Sequence, residues 1–222
     1  MGLETARAVL RFIFRLCWRV EFYGQENIPD FGPVILVSNH PSYLDPISVH
    51  LGVPKRRVRW MAWDAIFRVP FLGGLIRQFG AFPVDVDGPV KGAFETSLSL
   101  LRQGEIVGVF PEGGRSYQIL MGGVKTGAIR LALRSGAPIV PVSVAGAFRV
   151  WPRFRRLPGP GRIAVMYHPP VHLYTDRPDR EFYEKTMSQI KQVIQRGIVE
   201  ICREWHVRRV YDPTLEEFGV GV

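Results

Sequence analysis

The chain has 222 residues, a length that suits one domain, or one domain with a small appendage. Hydrophobic residues make up 46% of it, the share of a protein that buries a core, which excludes a disordered chain. Its 23 glycines and 18 prolines follow no repeat period, which excludes collagen-like and low-complexity readings. Two cysteines, Cys17 and Cys202, make no disulfide scaffold and stand at no zinc-type spacing, so a reducing compartment is expected. With 29 Lys and Arg against 20 Asp and Glu the net charge is +9. Such a chain seeks anionic partners: nucleic acid, an anionic membrane face or phosphorylated substrates.

Arg7, Arg11, Arg15 and Arg19 recur every fourth residue and follow one helical stripe, while Leu10, Phe12, Ile13, Phe14, Leu16, Cys17, Trp18 and Val20 cover most of the remainder. Residues 1–24 are therefore expected to form an amphipathic helix lying in the plane of a membrane surface. Arg7, Arg11, Arg15 and Arg19 would sit at the headgroups, with Phe12, Phe14, Leu16 and Trp18 entering the acyl boundary. The alternative is a helix packed on the domain with its arginines in water. No run reaches the roughly 18 uncharged apolar residues of a spanning helix, and no secretory signal is visible.

Residues 25–222 form the main domain. Strands are expected at 34–38, 58–62, 81–85, 106–110, 139–144 and 163–167, each a short apolar run. Helices are expected from Pro46 to about Leu51, as a short AIFRV segment capped by Asp64, at 92–103, at 126–134 and at 179–204. Strands separated by helices, apolar without alternation, predict an α/β fold with a mainly parallel sheet covered by helices. Ligands in such sheets gather at the carboxyl ends of the strands.

Two polar sequences leave strands at that end. Ser38-Asn39-His40-Pro41-Ser42-Tyr43-Leu44-Asp45 places a histidine just after a strand and a carboxylate five positions on. Imidazole is the natural general base near neutral pH, and a carboxylate on one ring nitrogen fixes its tautomer. The bland reading is a loop histidine with Asp45 as a helix cap. Phe110-Pro111-Glu112-Gly113-Gly114-Arg115-Ser116 pairs glycines, which turn N–H groups toward an anion, with an arginine fork that matches phosphate oxygens. Glu112 is a candidate acceptor for a substrate hydroxyl, and Lys125 a second cation. The bland reading here is a glycine turn with a solvated Glu–Arg pair. His50 is read as packing, and His168 and His172 as a poor metal pair on a proline-broken segment. Three basic clusters that each contain Trp, at 55–60, 149–156 and 203–209 (with His206), suit an anionic headgroup layer or are ordinary solvated charge.

The order of these blocks resembles that of the glycerolipid acyltransferases typified by bacterial 1-acylglycerol-3-phosphate acyltransferase. The resemblance runs over residues 20–175 and rests on NHPSYLD (39–45), GAFPVD (80–85), FPEGGRS (110–116), IVPV (139–142) and the Lys125-Thr126-Gly127-Ala128 step. It implies that 25–222 is an acyltransferase domain making phosphatidic acid from lysophosphatidic acid, with another lysophospholipid or a lyso-aminolipid as the alternative acceptor. His40 and Asp45 would be catalytic. Glu112, Gly113, Gly114, Arg115 and Lys125 would bind substrate. The donor would be acyl-CoA or acyl-carrier protein, with no metal, no further cofactor, no nucleic acid and no acyl-enzyme. The protein would sit on the cytoplasmic face of the membrane. Two departures stand out: Val86 where the family usually has an arginine, with Lys91, Arg115 or Lys125 to compensate or a different acceptor, and Gly114 where it usually has a threonine.

Overall fold

The computed structural model describes residues 3–68, 72–78, 80–84 and 90–205. Asp85 and Val86 of the second block, and His206 with Arg208 and Arg209, lie outside them, as does the side chain of Lys91. The chain order is α1 Leu3–Trp18, β1 Glu21–Tyr23, β2 Val34–Ser38, α2 Asp45–Gly52, β3 Val58–Trp63, α3 Leu72–Gln78, β4 Phe82–Val84, α4 Val90–Arg102, β5 Ile106–Val109, α5 Gly127–Ser135, β6 Ile139–Ala145, α6 Ala147–Val150, β7 Ala164–Tyr167 and α7 Arg180–Glu204. The strands form one sheet in the order β1-β7-β6-β2-β5-β3-β4. Every neighbouring pair is parallel except β6 with β7. The expected α/β architecture is therefore the observed one.

Both faces of the sheet are covered, which explains strands that are apolar throughout. Alternate residues of β2 go to opposite sides: Ile35 and Val37 pack under α4, α5 and α7, while Val34 and Leu36 pack under α1 and α2. All four are fully buried, and burial of such a side chain contributes roughly 1.5–3 kcal/mol. The long α7 starts at Asp179, whose carboxylate accepts from the Phe182 N–H as an N-cap. Elements shorter than the sequence pattern resolves are additions to the expectation: β1, α3 and α6.

The N-terminal helix differs from the expectation in two ways. β1 pairs with β7 as the sheet's edge strand and Phe14 of α1 lies in the core, so helix and domain are already joined before the boundary expected at residue 24. The arginine stripe also does not form an outer face. Arg7 is 4% exposed and donates to the His50 carbonyl, and Arg11 donates to the Leu51 carbonyl at 2.8 Å. Both carbonyls belong to the last turn of α2, where orphan oxygens and the negative end of the helix dipole draw cations. Trp18 is half-buried and donates to the Gly159 carbonyl. Arg15 and Arg19 stay exposed, alongside Val9, Phe12, Ile13 and Leu16. The outward surface of α1 thus carries these apolar side chains with Arg15 among them. No helix among the described residues is long and apolar enough to cross a membrane.

His50, 1% exposed beneath Arg7, carries a pH dependence. Burial, with the Arg7 charge beside it, lowers its pKa from 6.5 to about 4. The unfolded chain takes up this proton near 6.5 and the folded one holds it off. Stability is therefore full above pH 6.5 and falls as pH drops from there toward 4, by about 3 kcal/mol in all. Denaturant titrations across this range should show the slope in the wild type and a flatter profile in His50→Gln. Identical profiles would refute the assignment.

Candidate active site

β2 and β5 lie side by side and parallel, with Val37 opposite Val109. The segments that follow them therefore leave the same end of the sheet together, and these are the two polar blocks. Asn39, 1% exposed, locks the exit of β2: its side chain donates to the Val144 carbonyl at 2.9 Å and accepts from the Val144 N–H at 2.8 Å.

His40 then turns so that its Nδ1 lies 2.9 Å from Asp45 Oδ2. The same carboxylate oxygen accepts from the Ser42 N–H at 2.6 Å. Asp45 is fully buried as the first residue of α2, and its Oδ1 has no hydrogen-bond partner. Burial pushes this carboxyl up; the bonds from His40 and Ser42 hold it down. With Nδ1 engaged, Nε2 is the nitrogen left to accept a proton. The imidazole packs face to face on Phe110, with centroids 3.9 Å apart and planes at 14°. Phe110 in turn stacks on Trp60, at 4.5 Å and 9°. Trp60 stands opposite Gly108 in the sheet register, and a Cβ on Gly108 would collide with the Trp60 ring. Glycine inside a strand marked this close approach.

The second block wraps the first. Glu112 Oε1 accepts from the His40 N–H at 2.8 Å, and the Ser116 N–H donates to the His40 carbonyl at 2.8 Å. Gly122 and Ser116 also bond to the Glu112 carboxylate, whose pKa burial raises and these donors lower. Glu112, a candidate acceptor for a substrate hydroxyl, also joins the two blocks through the His40 N–H. Gly113 sits at φ 75°, the left-handed region open to glycine. A Cβ there would stand 3.0 Å from Lys125 Nζ, so the exposed Lys125 lies over this turn, its own N–H bonded to the Pro111 carbonyl. Gly114 is exposed with nothing within 4 Å of a Cβ, so the loop has room for a side chain such as threonine there.

Arg115 is the site's distinctive cation. Its guanidinium lies 3.5 Å from the Tyr43 ring centroid, a stacked cation–π contact. Its Nη1 is buried and has no acceptor among the described residues, a donor that calls for a partner. The structure thus brings together His40, Asp45, Glu112, Gly113, Arg115 and Lys125 at one end of the sheet. Asn39, Tyr43, Trp60 and Phe110 join them without having been singled out. An aromatic residue inside each polar block was the available signal for two of these. Arg7, Arg11, Arg15, Trp18 and Arg19 belong to the helix on the α2 side. No cluster of three or more His, Cys, Asp or Glu side chains able to hold a metal occurs among the described residues.

Comparison with known proteins places the chain in a family. The acyltransferase family model matches residues 19–145. The chain is 29% identical over 163 residues to the 1-acyl-sn-glycerol-3-phosphate acyltransferase of Bacillus subtilis, covering 73% of this chain and 79% of that one. It is 30% identical over 159 residues to a chloroplastic enzyme of the same name from Arabidopsis thaliana, covering 70% of this chain but only 44% of the longer plant protein. Its fold is similar to the crystal structure of the 1-acyl-sn-glycerophosphate (LPA) acyltransferase PlsC from Thermotoga maritima. That match has a TM-score of 0.73 and 26% identity, and covers 89% of this chain and 79% of that one. A family match over more than half of the sequence, together with the shared fold, establishes that the chain belongs to the acyltransferase family.

Proposed function

We propose that the protein transfers a fatty acyl chain from acyl-CoA or acyl-carrier protein to the free hydroxyl of lysophosphatidic acid, giving phosphatidic acid. The observation that carries this reading is the His40–Asp45 pair at 2.9 Å, with Arg115 on the neighbouring block holding a buried N–H that has no acceptor among the described residues. His40 Nε2 removes the hydroxyl proton as the oxygen attacks the thioester carbonyl, and Asp45 stabilises the imidazolium. Collapse of the tetrahedral intermediate breaks the C–S bond. The imidazolium returns the proton to the departing thiolate, so the products are one ester and one thiol. A thioester is already activated, so base catalysis and positioning suffice and neither a covalent acyl-enzyme nor a further cofactor is invoked. Arg115, steadied on Tyr43, and Lys125 would take the acceptor's phosphate.

This reading makes Arg115 an affinity determinant. Arg115→Ala should raise the acceptor KM about tenfold to a hundredfold, the scale of a lost charge-assisted contact, with a smaller change in kcat. Steady-state kinetics with varied lysophosphatidic acid measures this, and an unchanged KM removes Arg115 from the phosphate site. Val86, at the position where the family usually has an arginine, favours testing other headgroups too. A panel of lysolipids with thiol release as the readout decides the acceptor.

The acceptor's own acyl chain keeps it in a bilayer, and the α1 surface suits that location. Phe12 and Leu16, 67% and 72% exposed, would enter the interface, with Arg15 and Arg19 beside them at the headgroups. Phe12→Ser/Leu16→Ser should weaken binding to anionic vesicles at least tenfold while sparing turnover of detergent-dispersed acceptor. Co-sedimentation across a salt series measures it, and binding should also weaken as salt screens the arginines. Full retention of binding would place the anchor elsewhere.

A further inference from the structure

We infer that the loop from Arg153 to Leu157 is a second lipid-contacting element, bonded to the segments that carry the dyad and Arg115; this rests on the membrane-surface reading above. Two observations point to it. The first is exposed apolar surface that the sheet and helices do not use. Phe154 is 70% exposed and Leu157 is 74% exposed, as open as Phe12 and Leu16. They alternate with Arg153, Arg155 and Arg156, all exposed.

The second is charge. From Gly113 to Thr175 the chain contains no Asp or Glu but nine Lys or Arg, so the remainder balances 20 cations against 20 acids. The whole net charge resides in the stretch that holds Arg115, Lys125 and this loop. An apolar tip among arginines complements an anionic headgroup layer over an acyl boundary.

The loop is built, and it is wired to both neighbours. Gly159 N–H donates to the Val150 carbonyl, Arg155 N–H to the Pro152 carbonyl and Trp151 Nε1 to the Arg155 carbonyl. Any side chain at Gly161 would press on Val150, its Cβ 2.7 Å from Cγ2. A loop held this way presents Phe154 and Leu157 with little ordering cost on binding. On one side, Trp18 of α1 donates to Gly159, which joins the loop to the helix that exposes Phe12 and Leu16. On the other side, the Trp151 carbonyl accepts from Ser42 Oγ and the Tyr43 N–H, and Arg153 Nη1 donates to the Arg115 carbonyl. The contact surface is therefore continuous from α1 to the two segments that carry Asp45 and Arg115. An acceptor reaching the dyad from the bilayer would pass this loop.

The test places an environment-sensitive fluorophore on single cysteines in the full chain, with Cys17→Ser and Cys202→Ser as background. The labelled positions are Phe154→Cys, Leu157→Cys, Leu16→Cys and, on α4 across the sheet, Ser99→Cys. Vesicles contain phosphatidylglycerol, with or without brominated lipid. The expected result is a blue shift and bromine quenching at 154, 157 and 16, with neither at 99. Quenching at 16 alone overturns the inference and leaves the membrane reading standing. Quenching nowhere overturns both. A shift at 157 produced by coenzyme A without vesicles overturns it in favour of a donor nucleotide site. As an independent arm, Phe154→Ser/Leu157→Ser should lower vesicle affinity about tenfold with an unchanged unfolding temperature. Unchanged affinity overturns the inference.

Discussion

Replacing His40 by alanine should lower kcat for acyl transfer by a factor of about 10² to 10⁴, with the fold intact. Nothing else in the site replaces the lost base. Glu112 is engaged by the His40 N–H, Gly122 and Ser116, and the Arg115 and Lys125 side chains are donors only. Asp45→Asn should also be slow, since an amide can neither hold the ring in its tautomer nor favour the imidazolium. The double variant should lose little beyond His40→Ala, because both residues act through one ring. Thiol release from acyl-CoA in the presence of acceptor is the readout, with circular dichroism to confirm folding. Turnover near the wild-type level in a folded His40→Ala protein would falsify the mechanism.

The second large effect is expected at a residue with no functional group. Gly108→Ala should destabilise the protein by about 1–3 kcal/mol, the scale of overpacking a dense core, and should slow turnover about tenfold. The added methyl collides with Trp60, Trp60 supports Phe110, and Phe110 is the platform on which His40 lies. A ring shifted by a fraction of an ångström is a base out of reach. Gly108→Ala/Trp60→Leu separates the two effects. Removing the bulk should return much of the stability, yet without its platform Phe110 should not return the rate. Wild-type stability and turnover in Gly108→Ala would show that the stack is incidental.

The sequence made the sheet and the dyad legible for a physical reason: both are local. Fully buried strands write themselves as apolar runs, and His40 and Asp45 are five positions apart on one turn. What it concealed were contacts between distant segments. Arg7 and Arg11 repeat at helical spacing, as a solvated stripe would, and only the carbonyl ends of α2 reveal that they face inward. The bond from the His40 N–H to Glu112 was hidden because the two residues lie 72 positions apart. Tyr43 carried no sign that Arg115 would settle on its ring. β1, three residues at an edge, was too short for any pattern.

The position of β2 has a consequence for how the molecule is assembled. It is made early, yet its two neighbours in the sheet are β5 and β6, and the Asn39 lock reaches Val144 across 105 positions. Pairings of such separation must meet the entropy of closing a long loop first, so they form late. During synthesis the strand Val34–Ser38 is an apolar ribbon with bare edges. A chain cut after Gly136 keeps His40, Asp45, Glu112 and Arg115 but leaves the β6 side of that ribbon uncovered. It should collect in aggregates instead of folding, because an open, apolar strand edge is a template for its own kind.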